Sequence, residues 1–97
     1  AYRALLPDPE ARFWLARSLA RSGDVEGSLV EFAEVARGKD EELASWALYL
    51  KGTLHEDRGE MAQAIGSFRD AARYERFPSR MRSALWREGW AEFRTKA

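Results

Sequence analysis

The chain has 97 residues, 45% of them hydrophobic, and its 16 basic side chains balance 16 acidic ones. That length allows one small domain with a modest core. The lack of cysteine excludes disulfides and thiolate metal sites, and the apolar stretches are too short to cross a membrane. We therefore expect no membrane insertion.

Local signals divide the first part of the chain into two helices. Asp8 is a good N-cap and Pro9 fits the first turn, so a helix begins here. Apolar residues continue at helical spacing up to Gly23, a residue type that often ends helices. Asp24 caps a second helix, which carries Phe32 and other apolar residues on one side.

Three more helices follow by the same reasoning. The third begins after Asp40 and ends at Gly59, the fourth runs from about Glu60 to about Tyr74, and the fifth begins at Pro78. Alanine, leucine, glutamate and arginine dominate the composition, which favours helix over sheet. The predicted fold class is all-α, with about five antiparallel helices.

The opening segment AYRALLPDPE is typical of the end of an earlier helix that a proline stops. We expect residues 1–97 to form a single domain that is a fragment of a longer protein. The signals for its cellular location would then lie in other parts of that protein.

The chain repeats itself at an interval of about 36 residues. Matching positions include Phe13 with Tyr49, Gly23 with Gly59, Phe32 with Phe68, and then Tyr49 with Trp86 and Gly52 with Gly89. A unit of this size cannot bury its apolar face alone and must stack on its neighbours. The repeat therefore predicts an α-α superhelix, or solenoid, with units at about 9–40 and 41–78 and a partial unit at 79–97.

These units resemble the tetratricopeptide repeat, in which a small residue recurs in the first helix and Ala-x3-Phe in the second. The small residue is Ala16, Gly52 or Gly89, and the second pattern appears as Ser28 with Phe32 and as Ala64 with Phe68. Other residues fill the family's Trp, Leu and Tyr positions. The resemblance covers almost the whole chain. It implies stacked helix pairs with a peptide-binding groove along the first helix of each pair.

A narrower stretch that ends in ALWREGWAEFR is similar to the helical superhelix before the catalytic domain of bacterial soluble lytic murein transglycosylases. It is also similar to repeat segments of periplasmic lipoproteins that assist outer-membrane assembly. This resemblance implies a periplasmic or cell-envelope setting. It also leaves an alternative function, the non-catalytic helical region of a peptidoglycan-cleaving enzyme. The catalytic glutamate of that family belongs to a separate domain, and nothing in this chain matches it.

Aromatic and polar residues recur along the first helix of each unit and define a candidate ligand groove. Aromatic faces there would stack on a partner, and neighbouring polar groups would bind it. The predicted groove residues are Phe13, Arg17, Arg21, Trp46, Tyr49, Thr53, Glu56, Trp86 and Trp90. The alternative is that the aromatics pack between helices, as such stripes usually do. The predicted function is a protein-interaction or scaffold module that binds a partner protein or peptide.

The sequence offers no site for catalysis, a metal or a cofactor. His55, Glu56 and Asp57 are adjacent, but consecutive helical residues point in different directions and do not converge on one ion. With a single histidine and no strand-turn-helix context, no Ser-His-Asp set, glycine-rich phosphate loop or paired-carboxylate cleft can be assembled. Arginines outnumber lysines by 13 to 3, which suits RNA, but the middle unit is acidic where an RNA-binding groove is basic. We expect no nucleic-acid partner.

Charge is unevenly distributed along the chain. Residues 24–60 hold ten acidic side chains against four basic ones, and the chain from 69 onward holds eight basic against four acidic. The two regions either attract each other, within or between molecules, or are solvated helix faces. The fifth helix also presents an apolar face that no second helix of its unit covers. We therefore expect either a homo-oligomer through this helix or, in the intact protein, cover of this face by the next repeat. The residues in the contact would be Met81, Leu85, Trp86, Trp90 and Phe93.

Overall fold

The computed structural model describes residues 8–74 and 76–96, and these contain no strand. They form five helices: α1 (Pro9–Ser22), α2 (Val25–Ala36), α3 (Glu41–Asp57), α4 (Met61–Ala71) and α5 (Pro78–Lys96). The all-α prediction is confirmed. Among these five helices, none combines the length and the apolar character that crossing a membrane requires. The predicted stub of an earlier helix falls on residues outside the described part of the chain.

Helix boundaries follow the capping residues that the sequence marks. Three aspartates each accept a hydrogen bond from a backbone N–H in the first turn of a helix: Asp8 from Glu10 at 3.0 Å, Asp24 from Gly27 at 2.9 Å and Asp40 from Leu43 at 3.2 Å. Gly23 and Gly59 follow α1 and α3 with φ angles of +94° and +78°. Residues with a Cβ rarely adopt this left-handed conformation, so glycine at both positions allows the helices to end there.

The fourth helix is shorter than the sequence predicts. Its predicted end is near Tyr74, whereas α4 ends at Ala71. Beyond it, the N–H of Arg73 donates to the carbonyl of Asp70, and the N–H of Tyr74 donates to that of Ala71, at 3.2 and 3.3 Å. Because these bonds span three residues instead of four, the chain forms tight turns here in place of a further helical turn.

Each helix packs on the next helix in sequence, and the odd-numbered helices also touch one another. α1 contacts α3 and α3 contacts α5, whereas α2 and α4 do not meet within the described residues. The result is a flat body of 45 × 30 × 16 Å. The described chain thus contains two consecutive helix pairs followed by α5. The solenoid arrangement and the boundaries of the repeat units stay predictions. Membership of the tetratricopeptide class stays a prediction.

The same aromatic contact is made in both helix pairs. In the first pair the ring centroids of Phe13 and Phe32 are 5.8 Å apart, and in the second those of Tyr49 and Phe68 are 5.7 Å apart. Phe32 and Phe68 are almost completely buried. Phe13 and Tyr49 are separated in sequence by the repeat interval, and so are Phe32 and Phe68. The two matching stretches of sequence therefore make the same packing contact.

Each pair has its own small core, which includes an alanine from the helix that follows. The first core contains Phe13, Ala16, Phe32 and Val35 with Ala47 of α3, and the second contains Ala64, Phe68 and Ala71 with Ala84 of α5. Ala47 and Ala84 are completely buried and stand at corresponding positions of the repeat. A small side chain at this position lets the following helix lie close to the preceding pair.

Ion pairs connect the basic end of the chain to its acidic middle. Arg76 binds Glu41 at 2.6 Å, Arg87 binds Glu56 at 3.0 Å, and Arg94 lies 3.6 Å from the other oxygen of Glu56. These basic and acidic side chains therefore pair with each other within one molecule. α5 is therefore held against α3 by charge as well as by packing.

Candidate binding groove

A cleft lies between α1 and α3, the first helices of the two helix pairs. Its volume is about 490 Å³. The floor is apolar, because Phe13, Leu43 and Leu50 belong to the first core or pack on it. The full lining is Glu10, Phe13, Trp14 and Arg17 from α1, with Asp40, Glu42, Leu43, Trp46 and Leu50 from α3 and its cap. We call this cleft the α1–α3 groove.

Two tryptophans with large exposed surfaces line the groove. Trp14 is 51% exposed and Trp46 is 38% exposed. The ring of Trp14 meets that of Phe13 edge to face at 5.6 Å, and the guanidinium of Arg17 lies 5.2 Å from its centroid. These neighbours restrain the ring while half of its surface stays available. Restrained aromatic side chains bind partners at a low cost in conformational entropy.

Trp46 is positioned by Arg80 of α5. The guanidinium carbon lies 4.1 Å from the centroid of the Trp46 ring, a close cation–π contact. One nitrogen of the same group donates to the hydroxyl of Ser45 at 2.6 Å. Burial lowers the pKa of Arg80 because the charged form loses water, but an arginine is still charged at neutral pH. The fifth helix thus supports a groove residue of the third.

A second, smaller cavity of about 160 Å³ continues along the same two helices. It shares Arg17 and Leu50 with the α1–α3 groove. Its complete lining is Arg17, Ala20, Arg21, Phe32, Leu50, Thr53 and Leu54. The predicted groove residues Arg17, Arg21 and Thr53 therefore lie together along the seam between α1 and α3.

Two predicted groove residues are engaged inside the protein instead. Phe13 is only 5% exposed, so its ring packs in the core and offers no free face for stacking. The side chain of Glu56 is 9% exposed, and its carboxylate pairs with Arg87 and Arg94. Tyr49 is intermediate: it packs on Phe68, and its hydroxyl accepts a hydrogen bond from Nε of Arg87 at 2.7 Å. The alternative that the aromatics pack between helices therefore holds for Phe13 and in part for Tyr49, and Glu56 is occupied by ion pairs.

The remaining predicted groove residues, Trp86 and Trp90, lie on a different surface. Their rings stack almost parallel, 6.1 Å apart, on the outside of α5. Together with Leu85, Gly89 and Phe93 they line an open depression, which we call the α5 face. Met81, which the sequence adds to this surface, is half-buried and is not part of its lining. The sequence-predicted site is therefore two separate surfaces.

The adjacent residues His55, Glu56 and Asp57 diverge in the structure. Nδ1 of His55 lies 2.8 Å from the carboxylate of Glu60, Glu56 binds the arginines of α5, and Asp57 is exposed. The hydrogen bond from His55 holds the pKa of Glu60 below its ordinary value. Within residues 8–74 and 76–96, no group of three His, Asp or Glu side chains is arranged to hold a metal ion.

Sequence reasoning missed Trp14, Leu43 and Leu50 as groove residues. A helical signal was present for Trp14, which stands three residues before Arg17 and so on the same side of α1. No comparable signal marks Leu43 and Leu50, since their exposure to the groove depends on how far apart α1 and α3 lie.

Comparison with known protein families, with curated proteins and with solved structures finds no match to this chain. A function must therefore be argued from its surfaces. Two of these stand out, the α1–α3 groove and the α5 face.

Proposed function

We propose that this chain is a protein-interaction module, a tetratricopeptide-like array, that binds an extended segment of a partner protein in the α1–α3 groove. The observation that carries the proposal is the apolar floor between the exposed rings of Trp14 and Trp46. Clefts of this size with a few polar groups at the edge are common binding sites. Tryptophan is also among the residues that contribute most to binding energy at protein interfaces. The proposed role is binding, without catalysis.

The charges at the edge of the groove indicate the kind of segment that it binds. Glu10, Asp40 and Glu42 are exposed there. Among the described lining residues, Arg17 is the one basic side chain. Three carboxylates against one guanidinium make the edge acidic, so a matching segment carries basic residues beside an apolar side chain that fills the floor.

Selection of short random peptides on the 97-residue chain tests this proposal. We expect the selected peptides to combine basic and apolar residues. Their affinity should fall at least about tenfold when both groove tryptophans are replaced, in the variant Trp14→Ala/Trp46→Ala. Circular dichroism checks that this variant keeps its helices.

Trp86→Ala is the matched control. This tryptophan is more exposed than either groove tryptophan and lies outside the α1–α3 groove. Its removal should leave the affinity of the selected peptides unchanged. The proposal fails if no peptide is enriched, or if the double variant binds as tightly as the wild-type chain.

A further inference from the structure

Four large hydrophobic side chains are exposed together on the α5 face. Leu85, Trp90 and Phe93 are about half exposed, and Trp86 is 68% exposed. The depression that they line with Gly89 has a volume of about 550 Å³. Exposed apolar surfaces of this kind usually mark a site where another molecule docks.

The internal repeat shows what occupies the corresponding place in the first two units. Trp86 stands where Phe13 and Tyr49 stand, and Gly89 stands where Ala16 and Gly52 stand. In both complete units these two positions receive the second helix of the pair. The occupant of the α5 face can therefore be described from two examples in the same molecule.

In the first unit the occupant is α2. The ring of Phe32 packs on Phe13, and one turn earlier the hydroxyl of Ser28 donates to the carbonyl of Ala16 at 2.7 Å. A small residue followed four positions later by phenylalanine thus lets α2 lie close against α1. The hydrogen bond requires close approach of the two backbones.

In the second unit the occupant is α4. The ring of Phe68 packs on Tyr49 and lies over Gly52, where an added Cβ would be 2.6 Å from a ring carbon. Ala64 is the small residue four positions before Phe68. Around Gly89 the corresponding space is open, since an added Cβ would meet no described atom within 4 Å.

We propose that the α5 face docks one amphipathic helix of a partner protein, oriented to α5 as α4 is to α3. That helix carries a small residue and, four positions later, a phenylalanine that packs on Trp86 and lies over Gly89. This inference is independent of the groove proposed above, because it concerns different residues and a helical partner instead of an extended one.

Charge favours another protein over a second copy of this chain. Position alone would admit a second copy, since Gly89 and Phe93 of α5 have the same four-residue spacing. However, both acidic side chains of α5, Glu88 and Glu92, already lie within 3.6 Å of Arg69 of α4. A second α5 packed face to face would therefore offer no free carboxylate to the exposed Arg82 beside Trp86 and would bring a second Arg82 with it.

Arg82 indicates where the partner's charge lies. It is exposed, stands one turn before Trp86, and forms no ion pair with any described residue. In an antiparallel pair, the residue four positions after the partner's phenylalanine comes opposite Arg82. A carboxylate at that position would complete the match.

The probe is a fluorescent peptide of residues 60–74, the α4 segment, titrated into the 97-residue chain and followed by anisotropy. We expect saturable binding that weakens at least about tenfold when the peptide carries Phe68→Ala. Gly89→Ala in the protein should cause a similar loss, because a Cβ there occupies the space of the ring. Gly66→Ala is the matched control: it lies on a helix, is exposed and has no described atom within 4 Å of its Cβ.

A second peptide tests orientation and charge. Ala72→Glu places a carboxylate four positions after Phe68, opposite Arg82 of the protein. This peptide should bind more tightly than the unmodified one at low salt, and Arg82→Ala in the protein should remove the gain. Equal affinity of the two peptides for the wild-type chain would contradict the antiparallel placement.

The inference is overturned if the α4 peptide does not bind. It is also overturned if Gly89→Ala binds the peptide as well as the wild-type chain, because the peptide then exchanges with α4 or binds elsewhere. Sedimentation that shows two copies joined through α5 and unable to bind the peptide would assign the α5 face to a second copy. None of these results concerns the α1–α3 groove, whose selected peptides should bind the Gly89→Ala variant normally.

Discussion

The ring of Phe68 occupies the space that a side chain at position 52 would need. A Cβ built on Gly52 lies 2.6 Å from a ring carbon of Phe68. Phe68 is fully buried in the second core, so its ring has no free space into which it can move. Helices α3 and α4 can approach this closely because residue 52 has no side chain.

Gly52→Ala should therefore destabilise the protein, although alanine is the better helix former by about 1 kcal/mol. Overpacking a filled core costs about 1–3 kcal/mol, and over most of this range the cost exceeds the gain in helix propensity. Urea denaturation measures the change in the free energy of unfolding. Gly66→Ala, where nothing opposes the added Cβ, should instead stabilise the chain by up to about 1 kcal/mol. If both variants are stabilised equally, the close contact with Phe68 does not exist.

The buried phenylalanines of the two second helices should be the main determinants of core stability. We expect Phe32→Ala and Phe68→Ala each to lower the free energy of unfolding by about 3–5 kcal/mol, since each leaves a cavity in a small core. Phe93→Ala is the control, because this phenylalanine lies on the exposed α5 face and its loss should change stability by no more than about 0.5 kcal/mol. A loss below about 1 kcal/mol for Phe32 or Phe68 would contradict the packing described here.

Much of the fold was predictable because its signals are local. Asp8, Asp24 and Asp40 mark helix starts by their capping chemistry, and Gly23 and Gly59 mark ends by their backbone conformation. The exception is the end of α4, where the C-cap is Ala72, a residue type that does not mark a helix end, and no glycine directly follows Ala71. There the apolar pattern continues past the helix itself.

Side-chain exposure was less predictable because it depends on neighbours distant in sequence. Phe13, Tyr49 and Trp86 are equivalent in the repeat, yet the first is buried, the second half-buried and the third exposed. The difference arises from which helices pack on α1, α3 and α5. In the same way, the sequence could not show that Glu56 pairs with arginines more than thirty residues later.

The pairing of Glu56 with Arg87 and Arg94 should contribute to the docking of α5. Glu56→Gln leaves two arginines without their carboxylate. We expect the free energy of unfolding to fall by about 1–2 kcal/mol. This is less than for a fully buried pair, because both arginines are partly exposed. Glu34→Gln is the comparison, since its pair with Arg37 lies on the surface and should contribute no more than about 0.5 kcal/mol. Thermal unfolding of the two variants side by side measures the difference. Equal melting temperatures of the two variants would show that the ion pairs of Glu56 do not stabilise the docking of α5.

Glu60 should remain ionised to a lower pH than an ordinary glutamate. Its pKa is lowered mainly by the hydrogen bond with His55 and further by the charges of Arg58 and His55. The pKa of Glu60 in the folded protein lies below the value of about 4.3 in the unfolded chain. The contribution of Glu60 to stability is therefore complete above a pH of about 4.3 and is lost as the pH falls through the folded pKa. Carbon NMR of the Glu60 carboxyl measures the titration, and His55→Leu should raise the pKa toward its ordinary value. A wild-type pKa at or above about 4.3 would show that the hydrogen bond is absent in solution.

Self-association through α5, which the sequence predicts, should be weak and should increase with salt. The apolar rings of Trp86, Trp90 and Phe93 favour contact between two copies, whereas the exposed guanidinium of Arg82, one turn before Trp86, would meet its own counterpart and opposes it. Sodium chloride screens the repulsion, since the screening length falls from about 10 Å at 0.1 M to about 3 Å at 1 M, and it leaves the apolar attraction in place. Sedimentation of the micromolar protein should therefore show mostly monomer at low salt and a growing dimer fraction at high salt, and Trp90→Asp should abolish the dimer in both. A dimer that dissociates as salt is added would instead be held by ion pairs, and the contact would lie between the basic end and the acidic middle of two chains.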